Sequence, residues 1–400
     1  MKLVQVPENP LQRYLPIALG IGLLGLALSV VGLFVSGPIL FFQSYLFSYL
    51  FILELALGSL GVLMLHFLVG GRWGVAIRRV LEASTKTLWL LAILVIPIIL
   101  GAGYLYPWAN ADRVAAEPLL QHQAHYLNMT FFIIRAVIYF IIWIFLAWFL
   151  ERKARDPREF VTSPARSAFQ AYNAIGLIVY VVTMTFAATD WLMSIQPSWY
   201  STIFGMQIVV AQALSAFAFS IAIVTLLFPT EPLNNFMTPL TFRDLGAFML
   251  TFVILWVYLA FSQFIIVWEG DLPREVSWYL IRSEGGWGWV GAAVFVFQFI
   301  VPFFVLISLR AKRSPAMLIS MASMILVTRL VDNFWQVVPP FNTHGFTVTY
   351  LHILMAIGMV GLWLAVFLFF LGRTPQPEPV AEEVAPRIQT RPAPPASTTR

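Results

Sequence analysis

Apolar runs of about twenty residues recur from one end of the chain to the other, and the short stretches between them hold most of the charge. Each run can cross the ~30 Å hydrocarbon core of a bilayer as a helix. In hydrocarbon every backbone N–H and C=O must be paired inside the protein, so a spanning segment is a helix or part of a closed barrel. Strict apolar/polar alternation is absent, which leaves helices. The pattern predicts an all-α integral membrane protein of ten spans, at about 15–36, 45–69, 87–106, 128–150, 169–195, 203–228, 244–268, 288–309, 315–337 and 348–371.

Charge gives these spans a direction. Nineteen of the 24 Lys and Arg fall on one side of the ten-span arrangement and three (Arg113, Arg274, Arg282) on the other, leaving Arg135 and Arg329 inside spans. Basic loops stay cytoplasmic, so both chain ends are expected on the cytoplasmic side of a cell membrane. The asymmetry also accounts for a pI near 9.5 without any role for nucleic acid. No short apolar core followed by a small-residue cleavage site opens the chain, and no signal peptide is read. From Thr374 the composition turns to Pro, Ala, Glu and Thr, and a solvated, disordered cytoplasmic tail is expected over 373–400.

Composition narrows the chemistry. The chain is 60% hydrophobic and 11% charged and contains no cysteine. Thiolate-bound iron–sulfur clusters, disulfides and a catalytic thiol are thereby excluded from it. A b-type haem wants two histidines at one depth on facing spans. His66 near the inner end of span 2 and His352 near the outer end of span 10 do not meet that need. His122 and His125, in the loop between spans 3 and 4, read as surface histidines, and His66 as a packing residue. No phosphate-binding loop, zinc-protease motif or nucleophile elbow is present.

Two short matches suggest an internal repeat. Spans 5 and 9 each carry an aspartate about two turns before a proline, in Asp190-Trp-Leu-Met-Ser-Ile-Gln-Pro197 and Asp332-Asn-Phe-Trp-Gln-Val-Val-Pro339. Spans 2 and 6 open on Ser44-Tyr-Leu-Phe47 and Ser201-Thr-Ile-Phe204. Four spans separate each pair, so orientation is kept. The expected organisation is a short segment 1–14; span 1 with a four-helix bundle of spans 2–5 over 15–200; and a parallel bundle of spans 6–9 with span 10 over 201–372.

An ionisable group at mid-membrane costs about 2.5–3.5 kcal/mol on insertion scales, so each one invites a reason. Glu54 on span 2 and Arg135 on span 4 lie at similar depth and are expected to pair across the first bundle. Arg329 and Asp332 are neighbours on span 9, and Asp190 and His352 lie at comparable depth; these four are expected to converge in the outer half of the second bundle. On span 5, Asn173, Gly176, Tyr180, Thr183, Ala187 and Asp190 form one stripe, with Gln170, Tyr172 and Asp244 at its inner mouth. A small-and-polar stripe suits a hydrogen-bonded water chain, here a proton half-channel ending at Asp190. Such residues also join helices in membranes, and the ion pairs serve that purpose equally well.

The stretches SYLFSYLFILELALGSLGVLMLHFLVGGRWG (44–74) and TDWLMSIQPSWYSTIFGM (189–206) resemble the NrfD/polysulfide-reductase family of membrane subunits. Within it they look most like the ActF-type subunits of alternative complex III, a quinol:cytochrome c or quinol:auracyanin oxidoreductase of respiratory and photosynthetic bacteria. The likeness covers roughly residues 10–372, and DW-x-MS-x-x-P-x-W-x-ST-x-FG is its most specific part. It implies ten spans in two four-helix bundles and a bacterial plasma-membrane location. It also implies an NrfD-like sibling subunit, an iron–sulfur subunit and multihaem cytochrome c subunits as partners, with haem c and clusters held by those partners and a quinol such as menaquinol as electron donor. The ActC-type sibling is assigned the quinol site in that family, and the ActF-type subunit supports assembly and proton movement. The resemblance maps a proton path onto Asp190, Asp332, Arg329, His352, Glu54 and Arg135, with Thr183, Tyr180 and Asn173 from the stripe. No residue is secured as a catalytic group or quinone ligand, although Asp190 with Trp191, or His352, has suitable chemistry. Two other readings stand beside this one: the quinol-oxidising subunit itself, and a secondary transporter.

Overall fold

The computed structural model describes residues 10–154, 163–228, 233, 237–342 and 345–374. The expected disordered tail therefore lies almost wholly outside the described residues, as do residues 1–9. Ten helical segments are long and apolar enough to cross a membrane, and the chain is an all-α, multi-pass membrane protein. Spans 1 to 10 are Pro10–Ser36, Pro38–Val69, Arg72–Leu100, Met129–Lys153, Ser167–Ile195, Phe204–Leu227, Pro239–Gly270, Trp287–Ile307, Pro315–Phe341 and Tyr350–Arg373. Proline recurs at helix starts (Pro38, Pro239, Pro315), where its missing N–H is no loss and its fixed φ suits the first turn. Thr238 and Ser314 cap two of those starts by accepting from Thr241 N and Met317 N.

Spans 2 and 6 form the centre. In each, 83% of the most apolar window is buried, against 22–50% in the other eight. Their backbones touch: a Cβ on Gly58 would stand 1.9 Å from Gln212 O. Spans 5 and 9 each pack on both central helices, and span 7 joins span 6. Spans 1 and 10 pair closely with one another, where Gly22 and Gly25 meet Gly361 and Gly358 so tightly that a Cβ at any of the four would enter the opposite backbone. This is close small-residue packing of membrane helices, which gains dispersion contact without side-chain entropy cost.

Three helices depart from the expected pattern. Arg72–Thr85, expected as a charged loop, is the helical first part of span 3 and packs against spans 2, 6, 7 and 10. Its buried face runs through Trp73, Ala76, Ile77, Val80, Leu81 and Ser84, a helical stripe hidden among charges. Span 3 then breaks at Val95, because Pro97 has no N–H to give the preceding turn. Span 8 passes through a π-helical turn at Val296–Ile300 just ahead of Pro302. That turn reorganises the backbone bonds where proline would leave one open, and it swings Gln298 to the interior.

The expected loops carry further short helices on the side opposite the basic loops, at Ala111–Ala116, Pro118–Gln123 and Pro273–Ser283. The side where the described chain begins and ends is called the basic face below.

Candidate functional site

The ionisable groups form two separate clusters, one in each half of the molecule. In the first half, Arg135 of span 4 grips Asp190 of span 5 with two parallel bonds, Nε to Oδ2 and Nη2 to Oδ1, both 2.8 Å. Tyr139 donates a third bond to Oδ2, at 2.8 Å. Arg135 Nη1 donates to Tyr126 O, and the guanidinium lies 3.9 Å from the centre of the Tyr126 ring. A forked guanidinium–carboxylate pair of this kind is strong and strictly oriented. It is also balanced, one cation for one anion, and 16% of the Arg135 side chain remains exposed. Tyr126 lies outside the spans, and burial, with the Asp190 charge behind it, pushes its hydroxyl up to about 12.

The second cluster joins the two halves. Glu54 of span 2 accepts from Arg329 Nε at 2.8 Å and, through its other oxygen, from Asn333 Nδ2 at 2.8 Å, both on span 9. Arg329 Nη1 also binds Asp332, one turn further on. Gln336 donates to Asp332 Oδ2 at 2.9 Å. With its amide oxygen toward them, Gln298 of span 8 accepts from Arg329 Nη1 and Trp256 Nε1, each at 3.2 Å. Arg329 is 1% exposed, Asp332 2% and Glu54 3%, so the cluster is sealed. Two carboxylates share one guanidinium. Fully ionised, the group keeps one uncompensated negative charge in a dry interior, and a single proton restores neutrality.

These positions correct two expectations. Glu54 and Arg135 do not pair: depth was matched, but Glu54 faces span 9 and Arg135 faces span 5. Asp190, Arg329, Asp332 and His352 do not converge either; only Arg329 and Asp332 stand together, while Asp190 is held in the first half. His352 caps its own helix, its Nδ1 accepting from Thr349 N at 3.1 Å, with the ring against Phe334 and Phe47. It is one ring away from the second cluster rather than in it.

The span 5 stripe is a buried face whose side chains bond their own helix or spans 4 and 6 and form no continuous side-chain chain. Asn173 Nδ2 donates to Phe169 O. Gly176 leaves room for Met64 and Leu146. Thr183 bonds its own helix and accepts from Trp143 Nε1 at 2.9 Å. Tyr180 reaches across to Gln212 Oε1 of span 6 at 2.5 Å, and Glu54 lies within electrostatic range of that phenol. The stripe thus comes within electrostatic range of the second cluster at Tyr180 before it arrives at Asp190. The expected inner mouth is not assembled: Gln170 donates to Leu68 O, Tyr172 packs outward on Phe149, and Asp244 pairs with Arg243. His66, read as a hydrogen-bonded packing residue, packs against Gly74, Trp73 and Phe67, but its buried Nδ1 has no hydrogen-bond partner among the described residues; His122 and His125 are exposed.

Sequence reasoning missed the amides. Gln298, Asn333 and Gln336 complete the second cluster and Gln212 holds Tyr180, and an uncharged polar residue in a span was the signal available for them. It also missed Arg282, which is buried on the face opposite the basic loops. Its Nη2 donates to Gln336 O at 2.6 Å and its Nη1 to Trp278 O at 3.0 Å, with Gln196 Oε1 at 3.4 Å. Burial draws this guanidinium down to about 9. Gln196 in turn lines a cup of about 550 Å³ where four of the five loops of that face meet, among Arg113, Glu117, Glu284 and Pro339. Contacts therefore run from Glu54 through Arg329, Asp332, Gln336, Arg282 and Gln196 to an open cup, while Tyr180 and Gln212 bond to each other beside this chain.

Among the described residues no group of three or more His, Asp or Glu could hold a metal ion. No family model matches the chain, and no curated protein matches it.

Proposed function

We propose that this chain is a membrane subunit of a quinol-oxidising electron-transfer complex of the alternative complex III type, serving as scaffold and as part of a proton path. The surplus buried carboxylate carries this reading. A purely structural ion pair needs one acid for one base, and the Arg329 cluster holds two acids for one base. Polar side chains continue from it toward the cup, through Gln336 and Arg282, and on the span 5 side Tyr180, bonded to Gln212, lies within electrostatic range of Glu54. On this reading Glu54 and Asp332 share a transferable proton and Arg329 holds them in place. The stripe through Asn173, Tyr180 and Thr183 is the approach from the basic face. Asp190, locked by Arg135, holds the first half in shape beside the route.

The Lys and Arg asymmetry supports a bacterial plasma-membrane orientation with both ends in the cytoplasm. Iron–sulfur and multihaem cytochrome c subunits would dock on the cup face and carry the redox groups, with an NrfD-like sibling beside this chain in the membrane.

Purification in mild detergent followed by visible spectroscopy tests the assembly. Haem c and cluster absorbance co-purifying with the chain is the expected result; a colourless, solitary protein would overturn it in favour of a transporter. In the assembled complex, Glu54→Gln is expected to abolish proton translocation coupled to quinol oxidation, read as pH change per electron in vesicles. Wild-type coupling in that variant would remove the cluster from the path.

A further inference from the structure

The break in span 3 opens a groove that the proposed proton path does not use. Leu88–Leu94 packs on spans 2 and 4, whereas Ile96–Leu100 beyond the break packs on span 2. A cleft of about 560 Å³ lies between spans 3 and 4, lined by five residues of span 3 and seven of span 4, all apolar or aromatic. The span 4 wall runs from Ala136 to Trp148 along one helical face. At 1.5 Å per residue that is about 18 Å, close to one leaflet's share of the hydrocarbon core. The wall is large and rough, with Phe140, Ile141, Phe145 and Trp148, and lacks the glycine and serine with which membrane helices make close contact. A flexible chain fits such a surface better than a rigid helix.

One end of the groove is chemically distinct. Trp89 and Trp148 frame it on the basic face, 64% and 51% exposed, at the level where indoles favour the headgroup boundary. Arg152 lies over the Trp148 ring, 5.6 Å from its centre, and is exposed with no carboxylate partner among the described residues, whereas neighbouring Lys86 is taken by Glu151 at 3.1 Å. An apolar channel one leaflet deep, closed by two tryptophans and an exposed guanidinium, is complementary to a single lipid molecule. We propose that this groove binds one anionic phospholipid of the basic-face leaflet, with an acyl chain between spans 3 and 4 and the phosphate at Arg152.

Native mass spectrometry tests this on the full chain, with its partners where they co-purify, released from nanodiscs of equal phosphatidylglycerol and phosphatidylethanolamine. The expected result is one retained phosphatidylglycerol per chain after detergent washing. Ala92→Phe, which fills the groove from span 3, is expected to lower its occupancy at least fivefold. Ile141→Trp fills the groove from its open side, where residue 141 is already 62% exposed, and should do the same without disturbing the fold. Arg152→Gln is expected to keep a lipid but reduce the preference for phosphatidylglycerol about fivefold, the worth of one basic residue at an anionic surface. Unchanged lipid retention in both filled variants would overturn the proposal. So would a photo-crosslinker at position 145 that captures a protein span in place of lipid.

Discussion

The Arg135 pair and the Arg329 cluster use the same residue types in the two halves, yet they answer to different demands. In the first, a guanidinium meets one carboxylate, a tyrosine hydroxyl completes the carboxylate's bonds, and the cation keeps a partly open side. In the second, a wholly buried guanidinium meets two carboxylates drawn from spans of both halves, and four side-chain amides or indoles crowd round them. Balanced charge is enough to join two helices. Surplus charge, kept where it is costly, is not needed for that purpose, and it is the feature on which the proposed proton path rests.

Removing the base from each cluster should separate them most sharply. Arg329→Leu leaves two carboxylates buried without a cation and is expected to cost about 3–5 kcal/mol, enough to stop the folded chain accumulating in the membrane. Arg135→Leu leaves one carboxylate that still accepts from Tyr139, and a smaller loss of about 1–3 kcal/mol is expected in detergent thermal unfolding. Adding Asp190→Leu to that variant should recover most of the loss. Equal costs for the two arginines would erase the distinction. A smaller effect belongs to the link between the regions: Tyr180→Phe removes one buried hydrogen bond, worth about 1 kcal/mol, and should slow proton uptake while leaving the complex assembled.

The smallest effect concerns alkaline stability of the first cluster. The Tyr126 hydroxyl, ordinarily near 10, is pushed up to about 12 by burial. The unfolded chain therefore loses this proton first. The stabilising contribution is whole below pH 10 and is lost as pH climbs toward 12. A fall in melting temperature over that window that is shallower in Tyr126→Phe is the expected outcome, and identical slopes would refute it.

Hydropathy made the ten spans readable, because length and apolar content alone decide whether a helix can cross lipid. Hydropathy also flagged Glu54, Arg135, Asp190, Arg329 and Asp332 as residues in need of partners. It failed on which partner each takes. Depth along a span follows from residue number, but the direction a side chain faces depends on how the helices are arranged around one another. Glu54 thus looks as near to Arg135 as to Arg329 until spans 2 and 9 are seen in contact. The inward turn of Gln298 was hidden for another reason: it follows from the π-helical turn before Pro302, a local backbone choice that periodicity does not encode. The helix Arg72–Thr85 was misread because its charged residues mask an apolar stripe that side-by-side counting of hydrophobic runs overlooks.

The central seam carries a consequence for motion. Span 2 sends Glu54 to span 9, and span 5 sends Tyr180 to Gln212 of span 6, so each half reaches into the other across a line where Gly58 lies flush on a carbonyl of span 6. Halves interlocked in this way cannot rock against each other without rupturing several dry polar bonds together. Any change of shape in a protein with such a keyed joint is confined to local side-chain rearrangement, with the framework standing still.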